Sequence, residues 1–512
     1  MIIIISLWVF LIMLLSAGSS PLYNSVLWDS AVYVAMGRGL GAGKILYKDL
    51  LDNKGLYFYI INYLGTRGPG NSLIILFIIE CIFMLVKAFL IYKIAERLYN
   101  YKNSKITCLA SCILVLMSTA RFLMQEGNTP ETYVMAFELL AIYMIINYIL
   151  DNKPHKPLYM FIHGIMAGIV FGFKPNLLFI WGAFAVLVTI DLIKDKNYKL
   201  LALNFIYGLA GFIIAILPII LYAVKNNCLN DMLYAMFKLN IIMHVNNQPG
   251  FIQKFFSSFV ALQSISNRFI YSIIVTAILP VIISAWLILI NKDLNSRIKI
   301  YYFVMLLSAF AAVSVTGHCY GMYYVYILPF ALPFACKVSE YFVEFKLKLV
   351  FAVMLIIFIF SNATFIKIPR YFLFNQGFVP RVYAKCAEIN QKYFPDSQAR
   401  KDEKLLVVNG VVSFYHELDV VPSEKYFYPY EYKELPQAAH AQIDSLVSGK
   451  NDVVIMCFND KAEGSWPAAG RKDEINNALN NLYNLVYTSY NPADNGYVDK
   501  LEMYVRKDKD NY

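Results

Sequence analysis

The chain has 512 residues, 59% of them hydrophobic and only 16% charged, with a mean hydropathy of +0.52. Soluble domains have a smaller apolar and a larger charged share, so an ordinary soluble enzyme, a disordered chain and a disulfide scaffold are all excluded, and the chain reads as a resident of a lipid bilayer. The net charge of +10 is assigned to loops that collect Lys and Arg during membrane insertion, not to a nucleic-acid footprint. Cys81, Cys108, Cys112 and Cys336 lie within apolar runs, and no CxxC or Cys/His zinc spacing occurs, so redox and zinc chemistry are not expected.

In chain order, residues 1–16 are continuously apolar, with no basic n-region and no small-residue cleavage site before Pro21 and Tyr23. They read as a retained first span. Further apolar stretches fall near 71–95, 106–120, 132–150, 158–173, 177–193, 200–224, 269–290, 300–316, 323–338 and 349–364. With the first they make about eleven transmembrane helices. Lys and Arg concentrate in every second connection, from Arg97, Lys102 and Lys105 through Lys194, Lys196 and Lys199 to Lys337, Lys346 and Lys348. The positive-inside rule therefore predicts a cytoplasmic N-terminus, with loops 20–70 and 225–268 and the tail outside.

From Ile366 the composition becomes that of a water-soluble α/β segment, with strand-like runs at 404–408 and 452–458 and a helix-like stretch at 473–483. The expected organisation is a polytopic α-helical membrane domain over residues 1–364, followed by a small extracytoplasmic α/β domain over 365–512.

Ionisable residues at the outer ends of spans are functional candidates, because a polar group in or just above a bilayer is costly. The first cluster holds Asp29 and Tyr33, a glycine-containing stretch from Gly37 to Lys44, and Lys54. Asp29 opens a helical pattern in which Val32, Ala35 and Met36 share a face, as in a helix lying on the membrane surface. A carboxylate that merely starts a helix would look the same. The glycines do not make a phosphate loop, since Arg38 stands where Gly is needed and Ile45 follows Lys44; they read as a turn. The second cluster is Arg121, Glu126 and Glu131, where Thr129 as N-cap and Pro130 at the first helical position give Glu131 a structural reading beside its functional one. The third is Lys174 with His318 and Tyr320, of which His318 also reads as a hydrogen-bonded structural residue.

Together these offer the carboxylates Asp29, Glu126 and Glu131 and the cations Lys54, Arg121 and Lys174 on one membrane face. That set suits transfer of a sugar carried on a polyprenyl phosphate. The departing lipid phosphate is an anion of low basicity, so it needs cations to receive it rather than an acid to protonate it. The attacking hydroxyl grows more acidic as its bond to the sugar forms, and a carboxylate such as Asp29 accepts the proton.

The pattern Asp29-x3-Tyr33, Tyr47-x4-Asp52-Asn53-Lys54-Gly55, Arg121, Glu126-Gly127-Asn128-x2-Glu131 and Gly317-His318-x-Tyr320 resembles bacterial GT-C glycosyltransferases of the family 39 type, relatives of protein O-mannosyltransferases and of the lipid A aminoarabinose transferase. The resemblance spans most of the chain. It implies that Asp29 matches the first-loop catalytic aspartate, that Lys54 meets the lipid phosphate, and that Arg121 and Glu131 match the second-cluster arginine and acidic residue. This chain has Lys54-Gly55-Leu56 where family members often have Lys-Pro-Pro or Lys-Gly-Pro, and Ser30 where many carry a second acidic residue. No cofactor is expected, and without the paired carboxylates the sequence gives no support for a divalent metal.

The expected function is thus an integral-membrane glycosyltransferase at the outer face of the bacterial cytoplasmic membrane, with a polyprenyl-phosphate sugar as donor and a glycan, lipid or protein hydroxyl as acceptor. The alternative is a polytopic transporter or lipid flippase of envelope biogenesis. Transporters place ionisable residues near the midplane of broken helices, often in repeated halves, whereas these cluster at one face of a chain without repeats.

Overall fold

The computed structural model describes residues 1–26, 28–99, 104–124, 127–151, 156–245, 273–315, 320–344, 381–396, 403–408, 412–428, 435–458, 471–490 and 500–510. The first helices are α1 (Ile2–Ser16), α2 (Trp28–Gly41), α3 (Leu56–Gly65), α4 (Ile74–Tyr99), α5 (Ser104–Ser118) and the short α6 (Arg121–Met124). They are followed by α7 (Pro130–Leu150), α8 (Pro157–Phe171), α9 (Phe179–Lys194) and α10 (Tyr198–Lys225). After α11 (Leu229–Leu233) and α12 (Asn240–Val245) come α13 (Leu279–Ile290), α14 (Ser296–Ser314) and α15 (Leu332–Glu344).

Among the described residues, ten apolar helical segments match ten of the expected spans. Six are long enough to cross a bilayer unaided, and the shorter ones are Ile2–Ser16, Ser104–Ser118, Pro157–Phe171 and Ile274–Ile290. The eleventh, expected at 349–364, lies outside the described residues.

Hydropathy alone does not say which side of a span meets lipid; packing does. Helix α10 is apolar all round and turns Phe205, Ile206, Ile214 and Leu221 outward. Its other side lies on α8 at backbone contact: a Cβ on Gly164 would stand 2.0 Å from the Gly208 carbonyl oxygen, and one on Gly211 would stand 2.1 Å from that of Phe161. Small residues are what let two helices approach so closely where lipid supplies no hydrophobic drive. In contrast, α7 buries a continuous run from Pro130 to Ala136 inside the protein.

The C-terminal tail forms a four-stranded sheet from β1 (Leu405–Val408), β2 (Val453–Phe458), β3 (Tyr483–Tyr490) and β4 (Lys500–Arg506). The strand order is β1-β2-β4-β3, with β1 and β2 parallel and the other pairs antiparallel. Helices α16 (Arg381–Tyr393), α17 (Ser413–Glu417), α18 (Pro436–Val447) and α19 (Lys472–Leu482) accompany it. The two expected strands and the expected helix are therefore present. Strands β1 and β2 are continuous apolar runs because both faces are covered, whereas β3 exposes Leu485 and Tyr490 and gives a weaker sequence signal.

The tail rests on the segment that follows α1. Arg38 of α2 donates to the Asp419 carboxylate at 3.1 Å and to the Tyr415 carbonyl at 3.4 Å, and its other terminal nitrogen lies 3.1 Å from His416 Nδ1. Ser413 donates to the Val26 carbonyl at 2.8 Å, and the Leu51 amide donates to the Lys425 carbonyl at 3.0 Å.

Candidate active site

Asp29 stands in the first turn of α2, where the helix dipole favours a carboxylate. It is half-buried, and Tyr33, one turn on, donates to its Oδ2 at 3.4 Å. Burial raises its pKa, Lys54 opposes that rise, and the charges of Asp52, Glu131 and Lys174 are also felt there. Residues from three distant parts of the chain therefore share one electrostatic neighbourhood.

Two local expectations need correction. Val32, Ala35 and Met36 do share a face of α2, but they are buried within the protein core instead of lying on lipid. The glycine stretch is helical through Gly41, and only Ala42 to Lys44 turn. Gly37 is needed for packing, since a Cβ there would stand 2.5 Å from the Asn62 carbonyl carbon of α3.

Lys54 is held by a strap of tyrosines and amides. The Tyr47 hydroxyl donates to the Lys54 carbonyl at 3.0 Å, the Lys54 amide donates to the Tyr59 hydroxyl at 3.0 Å, and that hydroxyl donates to Asp52 Oδ2 at 2.6 Å. The Lys54 ammonium donates to the Asn53 side chain and lies 5.5 Å from the centre of the Tyr33 ring. Asn53 in turn donates to Asn240 at 3.0 Å. The Gly55 and Tyr57 amides donate to the carbonyls of Phe173 and Gly172 at 2.9 and 3.0 Å, stitching the Lys54 strap to the loop that carries Lys174.

Thr129 and Pro130 start α7 as the sequence indicates, although the Thr129 hydroxyl pairs with that of Thr132 at 2.9 Å instead of capping the backbone. Glu131 is more than a helix start. Lys174 donates to its Oε1 at 2.6 Å and lies 3.9 Å from the centre of the Tyr323 ring. Tyr320, itself exposed, stacks edge-on against Tyr323 at 5.6 Å. The backbone of Arg121 opens α6, while its side chain, Glu126 and His318 lie outside the described residues.

The structure thus brings together Asp29, Tyr33, Lys54, Glu131, Lys174 and Tyr320. Sequence reading placed Asn128 in a motif but gave it no role, and it passed over Glu80. Asn128 has φ +54° and donates to Ser30, beside Asp29, at 3.1 Å and to Asn62 at 2.7 Å. Its amide donates to Glu80 Oε1 at 2.6 Å. The available signal was a Glu and a Lys seven positions apart inside the apolar run of α4, at Glu80 and Lys87. Among the described residues no three His, Cys, Asp or Glu side chains gather as a metal site.

Residues 55–222 match the family described as dolichyl-phosphate-mannose-protein mannosyltransferase. No curated protein sequence matches significantly. A crystal structure of ArnT from Cupriavidus metallidurans bound to undecaprenyl phosphate superimposes with a TM-score of 0.59 at 12% identity, covering 98% of this chain and 97% of that one. The apo form of the same protein gives 0.47 at 10% identity, with the same coverage. The apolar helical segments among the described residues, a small C-terminal sheet, the family match beginning at Gly55 and an end-to-end superposition agree on one architecture: the chain has the GT-C glycosyltransferase fold.

Proposed function

We propose that the protein transfers a sugar from a polyprenyl phosphate to an acceptor hydroxyl at the outer face of the bacterial cytoplasmic membrane. The observation that carries this reading is the convergence of Asp29, Lys54 and Lys174 from three separate segments: Tyr33 donates to Asp29 and its ring lies 5.5 Å from the Lys54 ammonium, and the Gly55 amide's bond to the Phe173 carbonyl joins the Lys54 strap to the loop of Lys174. The family match over residues 55–222 and the undecaprenyl phosphate bound by a protein of the same fold support the class of donor.

In this reaction the acceptor oxygen bonds to the anomeric carbon while the bond from that carbon to phosphate oxygen breaks, and its electron pair leaves on the lipid phosphate. Asp29 takes the acceptor proton as general base. Lys54 receives the phosphate charge, with Arg121 as its expected partner, and Lys174 adds positive potential beside Glu131. Glu131 holds Lys174 in place through their 2.6 Å contact, and Tyr33 orients Asp29. The N-terminus is cytoplasmic, the segment carrying Asp29 and Lys54 is extracytoplasmic, and residues 365–512 form an extracytoplasmic domain.

The test is incubation of the purified full chain, in lipid nanodiscs, with a panel of polyprenyl-phosphate sugars and hydroxyl acceptors. Release of polyprenyl phosphate by the parent protein and its loss in Asp29→Asn are expected. Equal turnover by Asp29→Asn removes the assigned base, and no turnover with any member of the panel overturns the reading. Reporter fusions at Asp402 and Lys196 test topology, and a cytoplasmic Asp402 reverses the side assignment.

A further inference from the structure

We infer that Glu80 and Lys87, both within the membrane span α4, are positioning residues that hold the segment 127–132 and, through it, the Asp29 turn. The inference rests on the transferase reading for its consequences but not for its geometry. The two residues are seven positions apart, so they lie on one face of the helix about 10 Å apart along its axis. Both side chains are almost completely buried, at 2% and 1% exposure. A carboxylate and an ammonium placed so deep are costly and are retained where their hydrogen bonds fix something.

What they fix is backbone. Glu80 accepts the Asn128 amide at 2.6 Å on Oε1 and the Ser19 hydroxyl on Oε2, so it ties the end of the first span to the loop before α7. Lys87 donates to the Thr132 carbonyl at 3.1 Å, one residue beyond Glu131. Between these two pins lie Asn128 to Glu131. The side chain of Asn128 is fully committed: it donates to Ser30 and Asn62 and accepts from the Tyr133 hydroxyl at 3.1 Å. Asn128 therefore joins α2, α3 and α7 at one point, next to Asp29. Gly127 completes the arrangement, because its φ of +96° suits glycine and a Cβ would stand 2.4 Å from Glu80 Oε1.

Gln in place of Glu80 retains an oxygen to accept the Asn128 amide, whereas Leu does not. Glu80→Leu is expected to lower kcat about 10²-fold, the scale of a small displacement of a reacting group, with KM for the lipid donor unchanged. Glu80→Gln restores most of the rate, and Asn128→Ala repeats the loss without adding to that of Glu80→Leu. Hydrogen exchange at the Asn128 amide supplies a readout independent of turnover: it accelerates in Glu80→Leu and stays at the parental rate in Glu80→Gln. Parental exchange and kcat in a folded Glu80→Leu protein overturn the inference. If Glu80→Leu does not fold, Asn128→Ala decides, and a parental kcat there overturns it equally. If the parent turns over no donor, the transferase reading fails while the exchange comparison still decides whether Glu80 holds the loop.

Discussion

Lys174 donates to Glu131 across 2.6 Å with only 12% and 1% of the two side chains exposed. Removing one member of so buried a pair leaves the other charge uncompensated, which costs about 3–5 kcal/mol, whereas removing both costs much less. Lys174→Met alone is therefore expected to lower the thermal midpoint more than Lys174→Met combined with Glu131→Leu. Turnover falls in both proteins, because each lacks the cation. Thermal unfolding in detergent checks the order of stabilities, and a double variant less stable than the single one contradicts the pairing.

Asp29 carries a testable sign. Its pKa is raised above the ordinary 3.8, chiefly by burial, and Lys54 is the largest influence opposing the rise. As the proposed general base it works only when ionised, so the rate is expected to fall with decreasing pH at a point above the usual carboxylate range, and Lys54→Met moves that point higher still. A raised native pKa also means that the folded state holds the proton more tightly than the unfolded chain. The stability from this group is fully present below the unfolded pKa and is lost as pH rises through the native one. Asp29→Asn should thus lose about 10²–10⁴-fold in rate while being no less stable than the parent at neutral pH. A pH–rate profile and a thermal melt check both halves.

Gly55 sets the spacing between the two lysine-bearing segments. A Cβ there would stand 2.2 Å from the Gly172 carbonyl oxygen and 2.4 Å from its carbon, with backbone on both sides and no flexible side chain to give way. Gly55→Ala should push the Lys54 strap away from Lys174 and break the Gly55 amide's bond to the Phe173 carbonyl. The expected outcome is a loss of about 10²-fold in turnover together with a lowered thermal midpoint, because displacing reacting groups by about 1 Å is costly. Gly43→Ala is the control: no atom lies within 4 Å of its added Cβ, and φ of +82° leaves only local backbone strain. It should retain the rate.

The helical spans were legible because hydrophobic length is dictated by the bilayer and little else produces runs like 74–99 or 198–225. Asp29, Lys54, Glu131 and Lys174 stood out because a charge at the end of an apolar run is conspicuous. Their mutual arrangement was not legible, since the Glu131–Lys174 pair and the Gly55–Phe173 bond join segments that sequence spacing does not relate. Glu80 and Lys87 escaped for the opposite reason: hydropathy averages them into α4, and only the Asn128 amide and the Thr132 carbonyl reveal why they are there. The face of α2 was misassigned to lipid because an apolar face looks the same whether it meets lipid or α3. The position of His416 beside Arg38 was likewise not legible, because it depends on a contact across 378 residues of sequence.

That junction has a pH response made of two opposed parts. The His416 pKa is lowered from 6.5 to about 3, first by burial and then by the Arg38 charge, while the Glu417 pKa is raised from 4.5 to about 7 by burial. Arg38 points a donor at His416 Nδ1, which leaves Nε2 to donate to the Asn24 carbonyl at 3.2 Å, the pattern of a neutral ring. As pH falls below 6.5 the released chain protonates His416 and the docked one does not, which weakens docking by about 1.4 kcal/mol per pH unit. Over the same interval the docked state protonates Glu417 before the released state does, which strengthens docking by a similar amount per unit. The two slopes oppose each other between about pH 6.5 and 4.5. Below 4.5 Glu417 is protonated in both states, and only the His416 loss remains. The parent should therefore hold residues 413–428 docked, by hydrogen exchange or limited proteolysis, nearly evenly down to about pH 4.5 and release them towards pH 3. Glu417→Gln exposes the His416 slope, so release begins near pH 6.5. His416→Gln exposes the Glu417 slope, so docking tightens as the solution is acidified. Identical pH profiles for the parent and both variants would show that neither group titrates with docking.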